Sequence, residues 1–183
     1  MEKHSTNFFH CIRRFALFAK RLIKEIVFVE QKQFLSSYRF NKTTPAEFDL
    51  IGQDDRTYLC PKDNSLWVQM DLYDFGWGRE YGFCKIPMLD FEQLFDLLIH
   101  AQLEDNRYGA AAVLLDVYAG RLLDKCLDII QNSFDMKVYK QAFAILKLDK
   151  PVNRSVVALG TLEEIQSDNR KWEYIARKVK EIG

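Results

Sequence analysis

Residues 66–73 read Leu66-Trp67-Val68-Gln69-Met70-Asp71-Leu72-Tyr73 and carry the clearest structural pattern in the chain. Aliphatic side chains occupy every second position, and aromatic or polar side chains lie between them. This period of two predicts a β-strand, because successive side chains of a strand point to opposite faces of the sheet. One of the two faces is expected to pack in the core. If it is the aliphatic face, the face that carries Trp67 and Tyr73 is either covered by helices as well or is a binding surface.

Two further strands are predicted, one before and one after this stretch. Residues 57–60 and 81–86 are rich in aromatic and aliphatic residues, as strands usually are. Residues 61–65 have the composition of a turn, and Gly-Trp-Gly at 76–78 lies in the loop before the third strand. We therefore expect an antiparallel β-meander of three strands, or of four if residues 47–51 join it.

Residues 7–35 are predicted to form one long helix, because apolar side chains recur there at steps of three and four. The positions on this face are Phe8, Ile12, Phe15, Ala19, Leu22, Ile26 and Val29. Basic residues interrupt the stretch, so its longest apolar run, residues 15–19, is too short for a bilayer span or a signal peptide. The helix is expected to pack against the rest of the domain or a partner chain. A position on an anionic membrane surface is the alternative.

From Asp90 onward the sequence predicts helices. Two capping boxes, Asp90 with Gln93 and Thr161 with Glu164, mark helix starts. The predicted helices span residues 91–103, 107–118, 121–132, 135–148, 162–167 and 170–182. Asp105 or Asn106 would cap the second of them and Asp168 the last. Short connections favour antiparallel α-hairpins.

These elements predict an α+β fold with three parts. A long N-terminal helix comes first, then a small antiparallel β-meander of three to four strands, then a C-terminal array of five to six helices in α-hairpins. The chain has 183 residues, which is the size of one domain. We expect a single domain, 1–183, with the helix in 1–40, the meander in 41–89 and the helical part in 90–183.

Charge is unevenly distributed along a chain whose net charge is zero. Residues 1–40 carry eight basic and three acidic residues, whereas residues 41–110 carry six basic and thirteen acidic residues, a net charge of −7. An acidic middle argues against a nucleic acid partner and would suit a basic protein. The alternative is an ordinary solvated surface.

The four cysteines are Cys11, Cys60, Cys84 and Cys126, and none forms a CxxC pair. Cys11 and Cys126 lie among apolar residues and are interpreted as core. Cys60 and Cys84 could form a disulfide only if their strands were neighbours. Free thiols favour a reducing, cytoplasmic location.

Motifs for catalysis or cofactor binding are not found in the sequence. Gly76-Trp77-Gly78 lacks the third glycine and the following helix of a dinucleotide-binding loop. His4, His10 and His100 have no metal-ligand spacing. The acidic pairs at 54–55 and 104–105 are interpreted as a turn and a helix start. We therefore predict no catalytic residue, no cofactor and no metal.

The strongest functional signal is a cluster of aromatic and charged residues in 67–81. Tryptophan, tyrosine and arginine dominate interface hot spots, because they desolvate a large area at low entropic cost. The predicted partner-binding residues are Trp67, Asp71, Tyr73, Asp74, Phe75, Trp77, Arg79, Glu80 and Tyr81.

Two segments carry a resemblance to known families. The stretch 66–76, followed by Ile86-Pro87 and Asp90-Phe91, resembles bacterial immunity proteins of polymorphic toxin systems, and residues 107–115 resemble HEAT-type helices. The resemblance implies a bacterial protein that neutralises a toxin by covering it. The predicted function is thus protein binding without enzymatic activity. The alternatives are a small-molecule or enzyme pocket between sheet and helices, which would hold His100 or Cys84, and a scaffold on a membrane. The oligomeric state stays open.

Overall fold

The computed structural model describes residues 30–35, 44–74, 79–133, 135–150, 152 and 161–182. For residues 73, 74, 79 and 80 it describes the backbone only. All the described elements belong to the compact unit Lys32–Gly183. Most of the predicted N-terminal helix lies outside the described residues, so the prediction of one domain over 1–183 stays a prediction.

An antiparallel sheet of five strands, in the order β1-β5-β4-β3-β2, forms one layer of the fold. The strands are β1 (Phe34–Leu35), β2 (Ile51–Gly52), β3 (Thr57–Cys60), β4 (Ser65–Asp74) and β5 (Arg79–Ile86). The predicted meander corresponds to β3, β4 and β5. The predicted strand number of three to four is wrong, because a short strand is added at each edge.

The first element of the described chain is strand β1. The long helix predicted over 7–35 is therefore wrong at the C-terminal end of that helix, where residues 34–35 form a strand. Phe34 is the cross-strand partner of Cys84, and Leu35 is the partner of Phe83. The two side chains point to opposite faces of the sheet, and both are buried. A strand buried on both faces has no polar alternation, and this is why Phe34 and Leu35 resemble a continuation of the helical pattern.

Five α-helices follow the strands in the described chain. They are α1 (Phe91–His100), α2 (Glu104–Val117), α3 (Ala119–Asn132), α4 (Lys140–Ile145) and α5 (Leu162–Ile182). Two 3-10 helices, Pro45–Phe48 and Met136–Tyr139, precede β2 and α4. The α+β class is confirmed, and the order is strands first and helices second.

The capping boxes are confirmed at both predicted helix starts. The Gln93 backbone N–H donates to Asp90 Oδ1 at 2.9 Å, and the Glu164 backbone N–H donates to Thr161 Oγ1 at 3.3 Å. The cap predicted at Asp168 is wrong, since α5 continues through it and its carboxylate accepts from Lys171 Nζ at 3.2 Å. One 21-residue helix replaces the two predicted ones.

Hydrophobic clusters lie on both faces of the sheet. The inner face, which carries Phe34, Cys84 and Leu72, packs against the helices and forms the main core. The outer face carries a smaller cluster of buried residues: Leu35, Leu50, Trp67 and Phe83. The segment around the first 3-10 helix covers this cluster with Phe48. At its centre the sheet is therefore buried on both sides.

A buried asparagine ties β1 to the helical layer. Asn106 on α2 has no exposed surface, and its Oδ1 accepts hydrogen bonds from the backbone N–H groups of Gln33 at 2.8 Å and Phe34 at 3.2 Å. Asn106 was predicted as a possible helix cap, but α2 begins two residues earlier, at Glu104. The side chain instead fixes the position of β1.

Candidate functional site

A row of aliphatic side chains crosses four strands at one end of the sheet. Ile51 pairs with Leu59, Leu59 with Leu66, and Leu66 with Ile86. Directly opposed residues of antiparallel strands point to the same face, so these four side chains form one continuous strip, here called the apolar row. Exposure is 55% for Ile51, 42% for Leu66 and 39% for Ile86, and Leu59 is partly buried. Met88, which follows Ile86, is 45% exposed.

The apolar row lies on the inner face, beside the main core. The next row toward the centre consists of Thr57, Val68, Cys84 and Phe34. Cys84 and Phe34 are almost fully buried, because α2 packs against β1 and β4 there. Helix cover therefore ends between the two rows. Apolar surface that continues from the core and remains open to solvent is typical of a docking site for another molecule.

Charged side chains on the turns, together with Lys85 on the outer face of β5, form a polar rim at this end of the sheet. Lys62 Nζ lies 2.5 Å from Asp49 Oδ2, and Lys85 Nζ lies 3.3 Å from Asp63 Oδ2. The hydroxyl and the backbone N–H of Ser65 both donate to Asp63, at 2.6 and 3.0 Å, and they hold the pKa of that carboxyl well below its usual range. Asp63 therefore stays charged at neutral pH, and the two ion pairs give the row the polar edge of a protein interface.

Trp67, the first of the predicted partner-binding residues, lies in the outer-face cluster and is 5% exposed. Its indole Nε1 donates to Ser65 Oγ at 2.8 Å, and Lys85 Nζ lies 5.9 Å from the ring centroid. Its aromatic surface therefore contributes to packing under the 3-10 segment.

The other predicted contacts are grouped at the opposite end of the β4–β5 ribbon. Asp71 and Tyr81 are cross-strand partners, and both are exposed. By register Tyr73 pairs with Glu80 and Asp74 with Arg79, after a bulge between Asp71 and Tyr73. Phe75 and Trp77 lie outside the described residues. The register thus brings together six of the nine predicted residues, on a surface separate from the apolar row, and their role in binding stays a prediction.

A cavity lies between the sheet and the helices, as the alternative prediction of a ligand pocket requires. It has a volume of about 280 Å³ and is lined by residues of β4, α2 and the end of α4. His100 and Cys84 do not line it: His100 is exposed and close to Asp96, and Cys84 is buried in the main core. Sequence reasoning therefore predicted the layer that holds the cavity but not its residues.

The cysteines of the described chain are all free, and their reactivities are expected to differ. Cys60 and Cys84 lie on β3 and β5, which are separated by β4, so they cannot form the disulfide that neighbouring strands would permit. Burial raises the pKa of Cys84 to about 11 and leaves it as a thiol at neutral pH. Cys126 is fully buried, whereas Cys60 is partly exposed.

We expect iodoacetamide to modify Cys60 well before Cys84 or Cys126 in the native protein, because the thiolate is the nucleophile and needs solvent access. A time course followed by peptide mass spectrometry measures this order, and the same reaction in urea should make the three rates similar. Equal native rates for Cys60 and Cys84 would contradict the placement of Cys84 in the core.

Within the described parts of the chain, no three His, Cys, Asp or Glu side chains come together as a metal site would require. None of the helices in those parts has both the length and the apolar character needed to cross a bilayer.

Comparison with known proteins finds no relative of this chain. No protein-family model, no curated protein and no solved structure matches it.

Proposed function

We propose that this chain is a protein-binding module that engages its partner through the apolar row. The observation that supports this most is the cross-strand alignment of Ile51, Leu59, Leu66 and Ile86 with partial exposure of three of them. Full burial of a leucine or isoleucine contributes roughly 1.5–3 kcal/mol. Covering three half-exposed side chains would therefore contribute on the order of 1 kcal/mol each.

The partner is a protein with apolar side chains at the centre of its contact surface and basic residues around them. Residues 41–110, which form most of the sheet and the first helix, have a net charge of −7. Such a field attracts a basic partner and raises its association rate. A more specific hypothesis is that the chain is a bacterial, cytoplasmic immunity-type protein that neutralises a toxin by direct binding. It rests on the sequence resemblance alone.

The first test is purification of the tagged full-length chain from its native cells in four forms: wild type, Leu66→Lys, Tyr81→Ala and Val138→Lys. Leu66→Lys places a charge in the middle of the apolar row. Tyr81→Ala alters the predicted contact surface at the other end of the sheet. Val138→Lys is the matched control, because Val138 is exposed and lies outside both surfaces. We expect one protein to be recovered in stoichiometric amounts with all forms except Leu66→Lys.

Three outcomes would contradict this assignment. Loss of the partner with Tyr81→Ala and its retention with Leu66→Lys would move the contact to the other surface. The absence of any stoichiometric partner would remove the proposal. A wild-type dimer that Leu66→Lys converts to a monomer in analytical ultracentrifugation would assign the row to a second copy of the chain. Thermal unfolding of each variant confirms that the fold is intact.

A further inference from the structure

We propose that the cavity between β4, α2 and the end of α4 binds a small organic cation, an ammonium or guanidinium group carried on an apolar body. The cavity, here called the Asp71 cavity, has residues of three elements in its wall. Its volume of about 280 Å³ lies just below the range of roughly 300–1,000 Å³ that is usual for ligand pockets. A molecule of this size is smaller than most drugs, and the site is independent of the apolar row.

The floor of the Asp71 cavity is apolar and well packed. Leu72, Ala111 and Leu146 line it and are almost fully buried. Ala111 and Ala112 leave space in the helix surface, because their side chains end at the β-carbon. A floor of this kind accommodates the hydrocarbon part of a ligand, whereas the two aspartates at the rim of the cavity are exposed to solvent.

Two carboxylates enter the same cavity from different elements. Asp71 comes from β4 and Asp116 from α2, and both line the cavity. Within the described part of the chain, neither side chain has a hydrogen-bond or salt-bridge partner. Some exposed carboxylates of the described residues, such as Asp63 and Glu92, are held by lysine or arginine, whereas others, such as Asp124, are unpaired as these two are. Asp71 and Asp116 are therefore available to a ligand from outside.

The net charge of the lining residues determines which class of ligand the Asp71 cavity would bind. Among the described lining residues the two aspartates are opposed by one cation, Lys147, so that the lining carries a net charge of −1. Two like charges that share a cavity are stabilised by a cation between them. Tyr108 adds an aromatic ring to the wall, which also attracts cations. An anionic ligand would meet repulsion from both carboxylates.

The test uses the full-length protein and 2-phenylethylammonium as the probe, with 3-phenylpropanoate as an anion of similar shape. Nuclear magnetic resonance titration follows the amide signals of β4 and α2. We expect saturable shifts with the cation and none with the anion. Asp71→Asn and Asp116→Asn should each weaken binding about tenfold, the scale of one charge-assisted hydrogen bond.

Two further variants make the result specific. Asp124→Asn removes an exposed carboxylate on α3, outside the cavity, and should leave the affinity unchanged. Ala112→Phe fills the floor without changing charge and should abolish binding. The proposal is overturned if the cation shows no saturable binding, if the anion binds equally well, or if both asparagine variants keep the wild-type affinity. None of these results depends on the protein partner proposed above.

Discussion

Asn106→Leu is expected to lower the free energy of unfolding by roughly 3 kcal/mol or more. The substitution removes the oxygen that accepts from the backbone N–H groups of Gln33 and Phe34. A buried donor left without a partner costs about 1–3 kcal/mol, and here two donors lose theirs. Leucine is similar to asparagine in size, so the effect arises from the lost hydrogen bonds rather than from a cavity.

Urea unfolding followed by circular dichroism measures this loss. Asn132→Leu is the matched control, because Asn132 lies on the exposed surface at the end of α3. Its stability should remain within about 0.5 kcal/mol of wild type. If Asn106→Leu were as stable as Asn132→Leu, the attachment of β1 to α2 through this side chain would be wrong.

Gly109→Ala should lower the free energy of unfolding by about 3 kcal/mol, although alanine is the better helix former. A β-carbon at position 109 would overlap the ring and the β-carbon of Phe34, since β1 crosses α2 directly over this glycine. Phe34 is almost fully buried and cannot move aside without disturbing the main core. Overpacking of this kind typically costs 1–3 kcal/mol or somewhat more.

The same measurement on Gly120→Ala provides the control. A β-carbon at Gly120 would meet no atom within 4 Å, so that only the helix preference of alanine should act. Gly120→Ala is therefore expected to stabilise the protein by up to about 1 kcal/mol. A rescue of Gly109→Ala by Phe34→Leu, which shortens the opposing side chain, would locate the strain between these two residues. Equal and small effects at both glycines would contradict the close approach of β1.

Local patterns were sufficient to predict the centre of the sheet and several helix starts. The composition of residues 57–60, the turn at 61–65 and the alternation from Leu66 to Tyr73 predicted β3 and β4, and the capping boxes predicted α1 and α5. The first strand could not be predicted in this way. Phe34 and Leu35 form a strand because they pair with β5, and Asn106, more than seventy residues after Phe34, accepts hydrogen bonds from the backbone N–H groups of Gln33 and Phe34. A short window of sequence carries no information about a contact between residues so far apart in the chain.

The positions of the candidate-site side chains could be predicted only in part, for a similar reason. Leu66 belongs to the aliphatic face, which is buried nearer the centre of the sheet, but helix cover ends before it reaches that row. Trp67 lies under the segment with Phe48 and Leu50, and its predicted contact with a partner stays a prediction. Pro45 and Phe48 could have indicated from the sequence that this segment forms a turn with a buried aromatic ring. The extent of the helix layer, in contrast, depends on tertiary packing.

Calorimetric titration of the purified partner into wild type, Leu66→Lys and Val138→Lys measures how much the apolar row contributes to binding. Leu66→Lys loses about 1 kcal/mol of apolar burial and also buries a lysine charge, so that the total loss is about 2 kcal/mol, which corresponds to roughly thirtyfold in affinity. We expect Leu66→Lys to bind the partner roughly thirty times more weakly than wild type does. Val138→Lys should bind it with the affinity of wild type. Equal affinities for Leu66→Lys and wild type would contradict the claim that the apolar row is the binding surface.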